Sequence, residues 1–130
     1  MSDPRTTLLI AYGLFVLAPF NGATAIAGVV LVYLRRGEMI GTPWESHARN
    51  LIHVFWIGAV AATVLIAIIL FGVGGTFVSL VSTNGNPPPA MIGALLVLLP
   101  IVYLACLIFA VWYLYRTLRG LTRAIENRAY

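Results

Sequence analysis

The residues best suited to chemistry lie between Thr42 and Trp56, where charged, aromatic and imidazole side chains recur at helical spacing. At about 100° per residue, Glu45, Arg49 and His53 fall on one face of a helix. Because Glu45 precedes Arg49 by four residues, these two side chains are placed to form an ion pair. The residues of this predicted polar face are Glu45, Ser46, Arg49, Asn50, His53 and Trp56.

Two interpretations of the polar face are open. The simpler one is a helix entry at a membrane interface, with tryptophan anchors and a snorkelling arginine. The other is a polar contact surface, either between helices or toward a partner. It rests on His53, which lies a turn deeper than an anchor requires, where polar groups usually face protein or water. His47 points away from the face, and its spacing from His53 does not suit a metal site.

The composition excludes an ordinary soluble domain, since 61% of the 130 residues are hydrophobic and only 9% are charged. Such a chain needs hydrocarbon as its solvent, and runs of about 20 apolar residues can supply the spans. The sequence contains no nucleophile–base–acid set, metal-ligand spacing or phosphate-binding loop. We therefore expect no enzymatic activity, no cofactor and no bound metal.

The predicted fold class is an all-α integral membrane helical bundle of four helices, forming a single transmembrane domain over residues 1–130. It combines a short N-terminal hairpin with two long spans, and it ends in a basic juxtamembrane helix. The predicted helices cover about 8–19, 22–36, 43–73 and 90–125. Pro19 and the pair Asn21 and Gly22 interrupt the first apolar stretch. That stretch is either a hairpin of two short helices or a single kinked span, and we favour the hairpin.

The net charge of +4 comes from arginines at the ends of the predicted spans, which indicates membrane topology rather than a nucleic-acid partner. The connection 35–50 and the tail after Tyr115 hold arginines, whereas the loop 74–89 holds none. Both arginine-containing segments should therefore face the cytoplasm, as should the C-terminus. The residues expected to bind anionic lipid at that surface are Arg35, Arg36, Arg116, Arg119 and Arg123.

Three segments carry a resemblance to a known family: AYGLFVLAPFNGATAIAGVVLVYLRR, GTPWESHARNLIHVFW and WYLYRTLRGL. They resemble a family of small bacterial membrane proteins that is remotely related to the twenty-kilodalton channel-forming subunit of the chloroplast inner-envelope protein translocon. The resemblance implies four helices with both ends on the cytoplasmic or stromal side. It implies a multi-pass protein of the bacterial inner membrane, and it implies no established activity.

The expected function is that of a structural or interaction subunit of a membrane assembly, related to protein translocation. Its partners would be the lipid bilayer and either another protein or further copies of the chain. The alternative is a small transporter or an oligomeric channel. A proton-coupled transporter needs an ionisable group buried in mid-span, and all four acidic residues lie outside the apolar cores.

Overall fold

The computed structural model describes residues 3–130, and every regular element in that part of the chain is an α-helix. The four helices are α1 (Pro4–Leu17), α2 (Gly22–Met39), α3 (Trp44–Ser82) and α4 (Pro89–Ile125). The prediction of an all-α fold with four helices is confirmed.

The first apolar stretch forms a helical hairpin, so the alternative of a single kinked span is wrong. α1 ends at Leu17, and α2 begins after Asn21, whose side chain accepts a hydrogen bond from the Ala23 N–H at 3.1 Å. This is an N-cap, which satisfies a backbone donor at the start of the second helix. The two helices approach closely at Gly28, where an added Cβ would lie 2.9 Å from the Phe15 ring.

α3 is longer than predicted, since it continues to Ser82 rather than ending near residue 73. The helix continues through the glycines of segment 72–75. Glycine weakens a helix but does not end it as proline does, and α3 contains no proline. The chain then reverses in the loop 83–88, where Asn84 and Gly85 adopt positive φ angles of 51° and 85°.

α4 begins at Pro89. Proline lacks a backbone N–H, but the N–H of the first helical residue makes no hydrogen bond within the helix, so proline is tolerated there. The helix contains Pro100 and runs on through the arginines to Ile125. The basic segment with Arg116, Arg119 and Arg123 is the last part of α4, within the helix predicted over about 90–125.

The chain divides into two structural units. We call the first the polar unit; among the described residues it comprises those as far as Gly58 together with Val111–Tyr130. We call the second the apolar unit, which is Ala59–Ala110. Both long helices contribute to both units.

The core of the polar unit is organised on α1. Its buried side chains Leu8, Ala11, Tyr12 and Phe15 follow the spacing of one helical face. Tyr12 also lies against Gly120 of α4, where an added Cβ would be 2.5 Å from the tyrosine Cε1 atom. The remaining buried hydrophobic residues are Val29, Val32, Met39, Ala48, Leu51, Val54 and Ala124.

The apolar unit buries none of its residues, all of which lie within the described part of the chain. The most apolar stretches of α3 and α4 are only 6% and 0% buried, and both helices are long and apolar enough to cross a membrane. A core helix of a soluble protein would instead be mostly buried. The two helices therefore leave a large apolar surface that the rest of the described chain does not cover.

Candidate functional site

A buried histidine in the first turns of α3 links three parts of the polar unit. His47 is fully buried, its Nδ1 atom lies 3.0 Å from the Tyr12 hydroxyl, and its Nε2 atom lies 2.7 Å from the Arg128 carbonyl oxygen. A carbonyl can only accept, so Nε2 carries the proton of the neutral ring. Nδ1 is then an acceptor, and the Tyr12 hydroxyl donates to it.

The hydrogen bonds continue from Tyr12 to α4 through the side-chain amide of Asn50. Asn50 Nδ2 donates to the Tyr12 hydroxyl over a long 3.5 Å, and Asn50 Oδ1 accepts from Arg116 Nε at 2.9 Å. Each member of this polar chain therefore donates toward His47, starting from the arginine. Asn50, Tyr12 and His47 each both accept and donate, whereas Arg116 only donates, so the hydrogen bonds tie α1, α3 and α4 together in one direction.

Arg116 is held by neutral groups rather than by a carboxylate. Its guanidinium carbon lies 5.6 Å from the centre of the Trp112 ring and 5.7 Å from that of Tyr130. None of the three ion pairs found among residues 3–130 includes it. Aromatic faces attract a cation without neutralising it, so the positive charge of Arg116 is retained at this site.

An open cavity of about 320 Å³ lies beside this arginine. The residues that line it are Ser46, Arg49, Asn50, His53, Arg116 and Tyr130. Four of the six residues of the predicted polar face are therefore brought together here. The lining carries two arginine side chains and no acidic side chain, and Arg49 also pairs with Glu45, which lies outside the lining.

The other two residues of the polar face lie outside the lining. Glu45 accepts hydrogen bonds from the Gly41 N–H at 3.0 Å and from Arg49 at 3.3 Å. The bond from Gly41, more than the neighbouring Arg49, lowers the pKa of the Glu45 carboxyl below its usual value. Trp56 is more than half exposed, and its Nε1 donates to the Tyr33 hydroxyl at 3.1 Å.

The five arginines expected at the membrane surface have different surroundings. Arg35 pairs with Glu38 at 2.8 Å, and Arg36 is exposed in the last turns of α2. Arg119 donates to the Tyr115 hydroxyl at 3.0 Å, and Arg123 donates to a backbone carbonyl of the tail at 3.4 Å. Arg116 is the member of this group that lines the cavity.

The pKa of His47 lies below its ordinary value of 6.5. Burial is the main cause, since it disfavours the charged ring, and the nearby Arg123 acts in the same direction. The hydrogen bond to the Arg128 carbonyl opposes the shift. This residue precedes the apolar part of α3, which begins at Leu51. The neutral form matches the tautomer that the hydrogen bonds require.

Sequence reasoning missed Tyr12, His47 and Tyr130 as members of the site. A signal for His47 was available, because His47, Asn50 and the buried Leu51 and Val54 follow the spacing of a second, inward face of α3. The partners themselves had no signal, since they lie 35 and 81 residues away in the chain.

Within residues 3–130, no three His, Cys, Asp or Glu side chains come together as a metal-ligand group. The chain matches no protein-family model, no curated protein and no solved structure. What the site offers chemically is a fixed guanidinium and a second arginine beside hydroxyl, amide and imidazole groups.

Proposed function

We propose that this chain is a multi-pass integral membrane protein whose apolar unit lies in the hydrocarbon of the bilayer. The observation that carries the proposal is the exposure of the apolar side chains throughout residues 59–110. In water, this exposure would be unfavourable, by about 1.5–3 kcal/mol for a large apolar side chain that is fully exposed and by less for one that is partly exposed. In lipid that cost disappears, and the backbone groups are already satisfied within the helices.

Helix length supports the same placement. At 1.5 Å per residue, the 39 residues of α3 and the 37 residues of α4 extend for roughly 58 Å and 55 Å. The hydrocarbon core is only about 30 Å thick. Each helix therefore has a part outside it, and the polar start of α3 and the arginine-containing end of α4 suit the interface.

Within the membrane, we propose a non-enzymatic role as a subunit of a membrane assembly. Arg49 and His53 are exposed at the cavity and are available to another molecule, whereas Asn50 and Trp56 bond to other helices of the chain. The arginine distribution supports cytoplasmic ends, and the family resemblance is the basis for proposing the bacterial inner membrane and a process related to protein translocation.

Photocrosslinking in native membranes tests this role. A photoreactive residue at His53 should capture one defined protein or a second copy of the chain, identified by mass spectrometry. The same residue at Val97, which is exposed in the apolar unit, should capture lipid. Lipid alone at both positions would reduce the polar face to a membrane anchor. Release of the chain from membranes by alkaline carbonate would contradict membrane integration itself.

A further inference from the structure

We propose that the cavity of the polar unit binds a phosphate group through Arg116 and Arg49. The group can come from a lipid headgroup or from soluble phosphate, and both present the same tetrahedral array of charged oxygens. The lipid source rests on the proposed membrane insertion, whereas binding of the phosphate group itself does not.

The first argument is the state of Arg116. The hydrogen bond to Asn50 uses its Nε–H, and the guanidinium carries four further N–H donors on its two terminal amino groups. The rings of Trp112 and Tyr130 and the Asn50 amide hold the group in place. Arg116 is half-buried, and removing its charge from water among neutral partners costs free energy that a bound anion would offset. Because the guanidinium is already held in place, it loses little conformational entropy when it binds an anion.

The second argument is the composition of the lining. Arg49 supplies a second guanidinium, which also pairs with Glu45 at 3.3 Å, and the His53 ring supplies a further group that can donate to oxygen. Charge-assisted bonds from guanidinium to phosphate are among the strongest that side chains form. A volume of about 320 Å³ is at the lower end of small-molecule sites, which suits a phosphate group with a short attachment.

The third argument is the depth of the cavity in the membrane. The lining residues on α3 lie between positions 46 and 53, where the polar start of the helix meets the apolar part that begins at Leu51. In a membrane-inserted chain this is the level of the lipid phosphates. The cavity is therefore placed for a headgroup, in contrast to arginines that meet the membrane only as surface charges.

The test compares two arginines of the same helix. The full chain is purified in a non-ionic detergent, and native mass spectrometry measures the binding of phosphatidylglycerol to the wild type, Arg116→Gln and Arg119→Gln. Arg119 is the comparison for surface charge: it is another of the five arginines expected to bind anionic lipid, and it stacks on the Tyr115 ring at 5.8 Å, but it does not line the cavity. We expect Arg116→Gln to weaken binding by about tenfold or more, and Arg119→Gln to change it by about twofold at most.

A third variant, Arg49→Gln, keeps the proposal testable if Arg116→Gln perturbs the fold. Arg49 is 77% exposed in its side chain, so its replacement should leave the far-ultraviolet circular dichroism unchanged. It should still weaken lipid binding several-fold. Equal effects of Arg116→Gln and Arg119→Gln in folded protein, or no effect of Arg49→Gln, would overturn the proposal.

A second measurement separates the two sources of phosphate. The melting temperature is compared in sodium phosphate and in sodium chloride of equal ionic strength, for the wild type and Arg116→Gln. A rise specific to phosphate and to the wild type, together with lipid binding, supports a site for the phosphate group from either source. Lipid binding without that rise supports a headgroup site, and the rise alone supports a soluble ligand. The absence of both would refute the site while leaving carbonate-resistant membrane integration unaffected.

Discussion

The polar unit buries Tyr12, His47 and Asn50 and links them by hydrogen bonds between helices, whereas the apolar unit buries no side chain at all. Threonine hydroxyls bond locally in both units. In the apolar unit, Thr63 and Thr76 each donate to a carbonyl four residues earlier in their own helix, at 2.8 and 2.7 Å. In the polar unit, Thr122 donates to a carbonyl three residues earlier, and it is the Tyr12 hydroxyl that bonds to another helix. The units therefore differ in burial and in hydrogen bonds between helices.

The largest effect is expected from a charge placed in the apolar unit. Leu70→Arg puts a guanidinium in the middle of the apolar part of α3, at a cost of about 2.5–3.5 kcal/mol for insertion. We expect most of the chain to fail to integrate, as measured by the carbonate-resistant fraction in membranes. Thr122→Arg, at an exposed position of the polar unit, is the control and should integrate normally. Equal integration of both variants would contradict the proposed location of the apolar unit.

A methyl group added to α4 should have different effects in the two units. Gly120→Ala pushes a Cβ into the buried Tyr12 ring and should lower the free energy of unfolding by about 1–3 kcal/mol. Gly93→Ala meets no atom within 4 Å and should change it by less than about 1 kcal/mol, because alanine favours the helix. Denaturant titration in detergent micelles measures both. A tolerated Gly120→Ala would argue against the close packing of α1 and α4.

Removal of the Tyr12 hydroxyl tests the polar chain. Tyr12→Phe leaves His47 Nδ1 without its donor and Asn50 without its acceptor, and this should cost about 1–3 kcal/mol. Tyr103→Phe, at an exposed position of the apolar unit, should be neutral in the same denaturant titration. If the two substitutions cost the same, the hydrogen bonds of Tyr12 contribute nothing measurable.

The smallest effect is a pH dependence of the free energy of unfolding, which arises from His47 in the polar unit. The folded protein holds the pKa of His47 below 6.5, so the unfolded chain takes up the proton first as the pH falls. The free energy of unfolding should therefore decrease below pH 6.5, by less than about 1.4 kcal/mol per pH unit. His47→Gln should flatten the curve between pH 6.5 and about 5, where carboxylates remain ionised. An unchanged curve in this variant would assign the dependence to another group.

Much of the secondary structure could be predicted from local chemistry. Asn21 and Gly22 break the first apolar stretch because one caps a helix and the other begins it. The ion pair of Glu45 and Arg49 was predicted correctly, since helical geometry alone brings residues four apart together. The end of α3 at Ser82 differs from the predicted end near residue 73, because the helix continues through the glycines of segment 72–75.

The sequence by itself determined the helices, the apolar character of α3 and α4, and the clustering of polar side chains before Leu51, because these depend on residue type and short-range spacing. Only the tertiary structure decided that His47 is buried and bonded to Tyr12 and to the tail, and that Asn50 contacts Arg116. These partners are 35 to 81 residues apart. No local rule specifies which helix faces meet, because that choice depends on the packing of the whole core.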